Sequence, residues 1–135
     1  VADLTLEVAT PTRLVVAESV DEVVVPGTEG YFGVLPGHAP LLATVGIGEL
    51  TYRKGREEFH LAVAGGFAEV RQDKVIVLAD SAERPAEIDR ERAERARQRA
   101  EQRLAGRSQE DVDYARAMCA LARALTRLQV AARPQ

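Results

Sequence analysis

The chain has 135 residues, 46% of them hydrophobic, enough for one packed domain with an appended element. Aromatic residues make up only 4% and Trp is absent, so the core is expected to consist of Val, Leu, Ile and Ala. Eighteen Lys and Arg against 21 Asp and Glu leave no global field to attract nucleic acid or an anionic membrane, so any basic function must be local.

Residues 4–79 read as β-structure almost throughout. LTLEVAT alternates, with Leu4, Leu6 and Val8 on one face, and RLVV, EVVVP, GVLP, LLATV, ELTYR, FHLAVAGGFAEV and KVIVLA follow at short intervals. Turn chemistry separates them, at Pro26-Gly27, Pro36-Gly37, Lys54-Gly55 and Gln72-Asp73 among others. No helix-period segment lies between the strands, which argues for an antiparallel sandwich or small barrel against a parallel α/β fold.

The composition changes after Ala79. Residues 84–135 hold no strand-like run and are dense in Ala, Arg, Glu, Gln and Leu, which favour helix. Pro85 suits a first helical turn, and the helix is expected to run to about Leu104. Gly106 and Arg107 break it. Ser108 with Asp111 resembles a capping box, so a second helix is expected from about Gln109. Its seam is read as Tyr114, Met118, Leu121, Leu125 and Leu128, facing Ala93, Ala96, Ala100 and Leu104 of the first. The fold class expected is α+β: an N-terminal antiparallel β-sandwich over residues 1–83, then a C-terminal antiparallel two-helix hairpin over residues 84–135. An alanine seam buries few CH2 groups, each contributing about 0.8 kcal/mol, so the hairpin is expected to need outside support.

Cys119 excludes an internal disulfide and is expected to be a small buried hydrophobe. No run of about 18 apolar residues and no basic-then-apolar leader is present, so the protein is expected to be soluble, or peripheral through a partner. His38 and His60 stand apart, without Cys or carboxylate at ligand spacing, so no metal site is expected. His60, inside EEFHLAV, reads as an exposed or hydrogen-bonded strand histidine. GxSxG, GxGxxG and GxxxxGK[ST] are absent, which disfavours an enzyme. GYFGVLPGHAPLL reads either as a packed loop with one solvent-facing edge or as a protein-binding edge anchored by Tyr31 and Phe32.

Taken in order, GYFGVLPGHAPLL, LAVAGGFAEVRQDKVIVLADSAE and EIDRERA resemble the ε-subunit family of bacterial F-type ATP synthase, over essentially the whole chain. The family's LPGHAPL element matches Leu35 to Leu41, and its SGGFxEV element matches Ala64 to Val70 with Ala in first position. The resemblance implies a non-catalytic central-stalk subunit whose sandwich joins the γ subunit to the c-ring. The loop from Glu29 to Leu42, with Tyr31, Phe32 and His38, would lie where ring and γ meet. It also implies a mobile hairpin that regulates ATP hydrolysis and, when extended, offers Arg116, Arg123, Arg127 and Arg133 to acidic surfaces of the β subunits in the α/β head. A peripheral place on the cytoplasmic face of the bacterial membrane follows. The alternative is a freestanding binding module with a helical dimerisation arm.

Residues 88–93, IDRERA, match the family's nucleotide motif, Ile or Leu, Asp, two variable residues, Arg, Ala. The resemblance assigns Glu83, Ile88, Asp89, Arg92 and Ala93 to the adenosine side of ATP, and Arg99, Arg123 and Arg127 to its phosphates. Arg92 to Arg99 and Arg116 to Arg123 are each seven residues, or two turns, so each helix can carry a guanidinium stripe. Glu91 with Arg95 at i,i+4 is equally what a solvated helix shows. ATP is expected as a regulatory ligand, bound and not hydrolysed, with no cofactor required.

Overall fold

The computed structural model describes residues 3–106 and 112–134. Eight strands come first: β1 (Leu4–Ala9), β2 (Leu14–Val20), β3 (Glu22–Gly27), β4 (Gly30–Val34), β5 (Leu41–Thr44), β6 (Ile47–Lys54), β7 (Glu57–Arg71) and β8 (Lys74–Glu83). They hydrogen-bond in the order β2-β1-β8-β7-β6-β3-β4, with β5 added to β7. β2 and β6 are distant in that order yet meet across the fold, where Tyr52 Oη donates to Glu18 Oε2 at 2.8 Å and Lys54 Nζ to Glu18 Oε1 at 2.9 Å. The sheet has therefore folded over on itself into a sandwich.

The fold-over is made by β7, which is 15 residues long. Its first half pairs β6 and its second half pairs β5. Between them Gly65 and Gly66 take φ of 71° and 114°. A Cβ at Gly66 would stand 1.9 Å from Leu78 O, so only glycine permits this bend against β8. Alternation then fills the interior. Leu4, Leu6 and Val8 point inward as expected, joined by Val23, Val25, Leu50, Tyr52, Leu61, Val75 and Val77 in one aliphatic core. Gln72 and Asp73, both at positive φ, make the expected two-residue turn between β7 and β8. One pair departs from the antiparallel pattern: β1 lies parallel to β8. Parallel neighbours need a long crossover, and here the rest of the sandwich supplies it.

The helical part differs in detail from expectation. Pro85 opens only a 3-10 turn, Pro85–Glu87. Ile88 is extended and buried, and the α-helix begins after Asp89, whose side chain accepts from Arg92 N at 3.0 Å. α1 runs Arg90–Leu104 and ends before Gly106, at φ 75°. α2 runs Val112–Ala131. Its expected start at Gln109 and the Ser108–Asp111 box lie outside the described residues. An Arg90 guanidinium at the start of α1 bonds Ala131 O at the end of α2, so the helices are antiparallel.

The expected leucine seam is not the buried one. Met118 is 43% and Leu125 48% exposed, Tyr114, Leu121 and Leu128 are half-buried, and Cys119 is exposed. Ala117 and Ala124 are buried on α2, facing the equally buried Ala93 and Ala100 of α1. Methyl-sized side chains at heptad spacing on both helices let the backbones approach closely, and longer side chains are displaced to the flanks. The hairpin then meets the sandwich through a second small cluster, Ala62, Ile88, Val130 and Ala131. Ala124→Leu should accordingly lower stability by about 1–3 kcal/mol by overpacking, while Leu125→Ala should cost under about 1 kcal/mol. Denaturant melts check this; the reverse order would mean that the leucine seam is the packed one.

Candidate functional site

Between α1 and α2, beside the end of β8, lies a cavity of about 340 Å³. α1 contributes Arg92, Ala93, Ala96 and Arg99, and α2 contributes Ala120, Arg123 and Arg127. The segment joining β8 to α1 adds Glu83, Glu87 and Asp89. The spacing on α1 is two turns from Arg92 to Arg99, and on α2 one turn from Arg123 to Arg127, so each pair shares a helix face. Alanine floors both helices here, which leaves the room open.

The acids around this cavity are engaged. Glu83 Oε1 accepts from Arg127 Nε at 2.5 Å. Asp89 caps α1. Glu87 accepts from Arg13 Nη1 at 2.6 Å and from Arg84 N at 2.8 Å. The Arg13 bond holds the Glu87 carboxyl below the usual carboxylate range, against the opposing effect of burial. The Arg92, Arg99 and Arg123 side chains, by contrast, have no carboxylate partner among the described residues, whereas Arg97 on the far side of α1 is paired with both Glu94 and Glu101. Three guanidinium groups around one opening make a donor-rich site suited to phosphate oxygens.

Seven of the eight residues expected at the nucleotide line this cavity: Glu83, Asp89, Arg92, Ala93, Arg99, Arg123 and Arg127. Ile88 does not. Its side chain packs with Ala62, Val130 and Ala131 under the hairpin, and its N donates to Pro85 O at 3.3 Å. Glu87, Ala96 and Ala120 were not anticipated at the nucleotide; Ala96, four residues after Arg92 and three before Arg99, and Ala120, three before Arg123 and seven before Arg127, share the arginines' helix faces, and that spacing is the signal that would have found them. Arg116 is elsewhere, at the other end of the hairpin beside Arg103 and Asp113.

On β4, Tyr31 is exposed while Phe32 packs partly against the core, so only the first behaves as an open apolar anchor. His38 folds back on its own loop, its Nδ1 2.5 Å from Ala39 O. Leu35 and Leu42 are exposed nearby, Leu42 at 71%. Sequence reasoning missed a further feature. Leu14, Ala9, Leu78, Phe67 and Thr44 stand in register across β2, β1, β8, β7 and β5 on the outer face, and Leu14, Phe67 and Leu78 are all exposed. A cross-strand apolar row of this kind marks a contact surface, and only knowledge of the register reveals it.

A last cluster surrounds Glu49 on β6, 8% exposed although on the outer face. α2 covers it with Gln129 and Arg133, and buried His60 lies beside it, its Nδ1 3.2 Å from Glu49 Oε2 and from Thr51 Oγ1. Burial raises the Glu49 carboxyl, but the Arg133 bond and charge, Gln129 and His60 outweigh it and leave the group below its ordinary value. Among the described residues no cluster of His, Cys, Asp and Glu is placed to hold a metal.

Residues 3–85 match the family model of the ATP synthase delta/epsilon chain β-sandwich domain, and residues 86–132 that of its long α-helix domain. The ATP synthase epsilon chain of Nitratidesulfovibrio vulgaris strain DP4 is 54% identical over 127 residues, 94% of each chain. That of Geobacter metallireducens is 52% identical over 128 residues, 95% of this chain and 93% of its own. A chain in the solved structure of the Euglena gracilis mitochondrial ATP synthase, with its F1 and c-ring, shares the fold: TM-score 0.81 at 24% identity, covering 98% of this chain and 82% of that one.

Glu49 and Glu87, both held low in the folded chain, contribute stability that is fully present above about pH 4.3, the ordinary carboxylate value, and is lost as the pH falls through their lower folded values. The melting temperature should therefore drop below about pH 4. A Glu49→Gln/Glu87→Gln chain should start lower at neutral pH and lose less on acidification. Equal acid slopes in the two chains would show that these carboxylates carry no such linkage.

Proposed function

The chain belongs to the ATP synthase delta/epsilon chain family, and we propose that it serves its complex as a rotor subunit with an ATP-sensing hairpin. It is a non-catalytic subunit of the F-type ATP synthase. In this reading the sandwich joins the γ subunit to the c-ring and couples proton flow to ATP synthesis. The outer-face row of Leu14, Phe67 and Leu78 supports a protein partner there, and the exposed Tyr31, Leu35 and Leu42 support a second contact at the adjacent end. No helix among the described residues is long and apolar enough to cross a membrane, consistent with a peripheral place on the cytoplasmic face, held by partners.

The observation that carries the sensing role is the trio of guanidinium groups, Arg92, Arg99 and Arg123, that have no carboxylate partner among the described residues and stand around one interhelical cavity. An adenine nucleotide would set its phosphates against Arg99, Arg123 and Arg127, with Glu83, Asp89 and the Ile88 backbone on the adenosine side. Arg127 would exchange its Glu83 partner for a phosphate oxygen, so part of the binding energy replaces a bond already present. A ligand touching both helices binds the folded hairpin better than any separated arrangement and shifts the population towards it. Released, the hairpin would present Arg116, Arg123, Arg127 and Arg133 to acidic surfaces of the catalytic β subunits and slow ATP hydrolysis. Exposed pairs contribute only about 0–1 kcal/mol each, so such a brake needs several together.

Calorimetric titration of the isolated chain with ATP and ADP tests the sensing role. Heat of binding should appear with ATP, and Arg99→Ala and Arg123→Ala should each weaken it roughly tenfold or more, the scale of one charge-assisted hydrogen bond. Absence of heat at millimolar ATP, or heat indifferent to both substitutions, would refute it. The division of labour has its own test: a chain ending at Glu83 should fold cooperatively and restore coupled synthesis to a complex lacking this subunit. An unfolded or uncoupled result would show that the hairpin is required for coupling.

A further inference from the structure

Among the described residues Glu49 is the one buried carboxylate, and the hairpin covers it. Its strand, β6, turns Leu50 and Tyr52 into the core, so Glu49 looks outward and would be wet in a lone sandwich. α2 lies over it. Arg133 grips it with two prongs, Nε to Oε2 at 2.9 Å and Nη2 to Oε1 at 2.8 Å, and Gln129 Nε2 donates to Oε1 at 3.0 Å. Gln129 and Arg133 are one turn apart, at and just beyond the last turn of α2, and the chain continues that turn with Arg133 N donating to Val130 O at 3.0 Å.

The backbone under this carboxylate is fixed from the far side. β3 pairs β6 only as far as Val24 and Thr51, and Pro26, further along β3, has no N–H to extend the ladder. In place of a ladder bond, Glu49 N donates to Tyr31 Oη at 3.1 Å, the phenol reaching across from β4. Gly48 makes this possible: a Cβ there would meet Tyr31 Oη at 2.5 Å and Pro26 Cβ at 2.8 Å. Glu49 is also the register partner of Ala62, the sandwich residue on which Val130 and Ala131 rest. The polar grip and the small apolar contact are thus one patch.

We infer that Glu49 is a positioning residue for α2: its grip on Gln129 and Arg133 holds the hairpin folded without ligand, and so sets Arg123 and Arg127 opposite Arg92 and Arg99 in advance. Physical chemistry favours a carboxylate for a contact that must open. Glu49 is buried while Arg133 stays 41% exposed, so on separation the carboxylate regains water and the guanidinium keeps what it has, whereas an apolar patch of equal area would be left exposed. The other tie, Arg127 to Glu83, belongs to the nucleotide cavity and is given up to a phosphate; the Glu49 grip lies outside it and persists in both states. The consequence for nucleotide affinity rests on the sensing role proposed above, while the grip itself does not.

Hydrogen exchange of the whole chain without nucleotide, read separately for α2 and for β6 and β7, decides the matter. Glu49→Gln and Arg133→Ala should each speed exchange across α2 by roughly ten- to a hundredfold, as expected for losing hydrogen bonds between charged groups. The double variant should be no faster than the faster single, and exchange in β6 and β7 should stay unchanged. Arg133→Ala, at an exposed terminus, keeps the test meaningful if the Glu49 variant folds poorly. Unchanged α2 exchange in Arg133→Ala, or acceleration of β6 and β7 together with α2, would overturn the inference. Titration with ATP separates the two readings: Arg99→Ala should weaken binding roughly tenfold or more with α2 exchange unaltered, whereas Arg133→Ala should weaken binding only in proportion to the folded fraction lost. If wild-type chain binds no ATP, the sensing role fails and the exchange data still decide the grip.

Discussion

The close approach of α1 and α2 along Ala93, Ala100, Ala117 and Ala124 decides where every longer side chain of the hairpin goes. With only methyl groups between the backbones, no leucine or arginine fits in the seam, and the flanks take them. On one flank Arg92, Arg99, Arg123 and Arg127 gather around an open cavity. Met118 and Leu125 are left facing outward. A leucine seam would have buried more surface and given a sturdier pair, but wider spacing would carry the two guanidinium stripes apart. The alanine seam trades stability for a narrow gap that a phosphate chain can bridge.

That weakness is offset by the sandwich. The hairpin rests on four small or aliphatic residues, Ala62, Ile88, Val130 and Ala131, and on two carboxylates, Glu49 and Glu83, that hold arginines from α2. In the proposed sensing role such a contact docks the helix pair without fixing it permanently. The sandwich, in contrast, has a continuous aliphatic core and a sheet locked by the Gly65–Gly66 bend, so it is the rigid half. A rigid half bearing a lightly held one is the arrangement that the proposed coupling and sensing roles require.

Most of the sandwich was legible because its rules are local. Period-two alternation placed Leu4, Leu6 and Val8 inside, and turn residues at Gln72-Asp73 marked the hairpin between β7 and β8. The helix pair was legible in existence, and so was the alanine face of α1 at Ala93 and Ala100, but not the buried face of α2. Spacing alone cannot distinguish a leucine stripe from the alanine stripe beside it, and hydrophobicity favoured the wrong one. The cavity residues were found through the IDRERA resemblance, since arginine spacing by itself fits a solvated helix equally well. Glu49 could not be found at all. Its partners are 80 and 84 residues away, and nothing in IGELTYRK signals that a helix will cover the outer face of that strand.

The central claim is that one lightly docked helix pair takes up a folded position on the sandwich and that nucleotide selects it. Cys119 is the sole cysteine and lies exposed on α2, which makes it a natural label site, and Arg56, exposed in the β6–β7 turn, can be replaced by a second cysteine on the sandwich. Distance distributions between spin labels at Cys119 and Arg56→Cys, measured in the assembled complex, report the hairpin position directly. A single short distance at millimolar ATP that gives way to a longer population when ATP is removed is the predicted result. One unchanged distribution in both conditions would contradict the account.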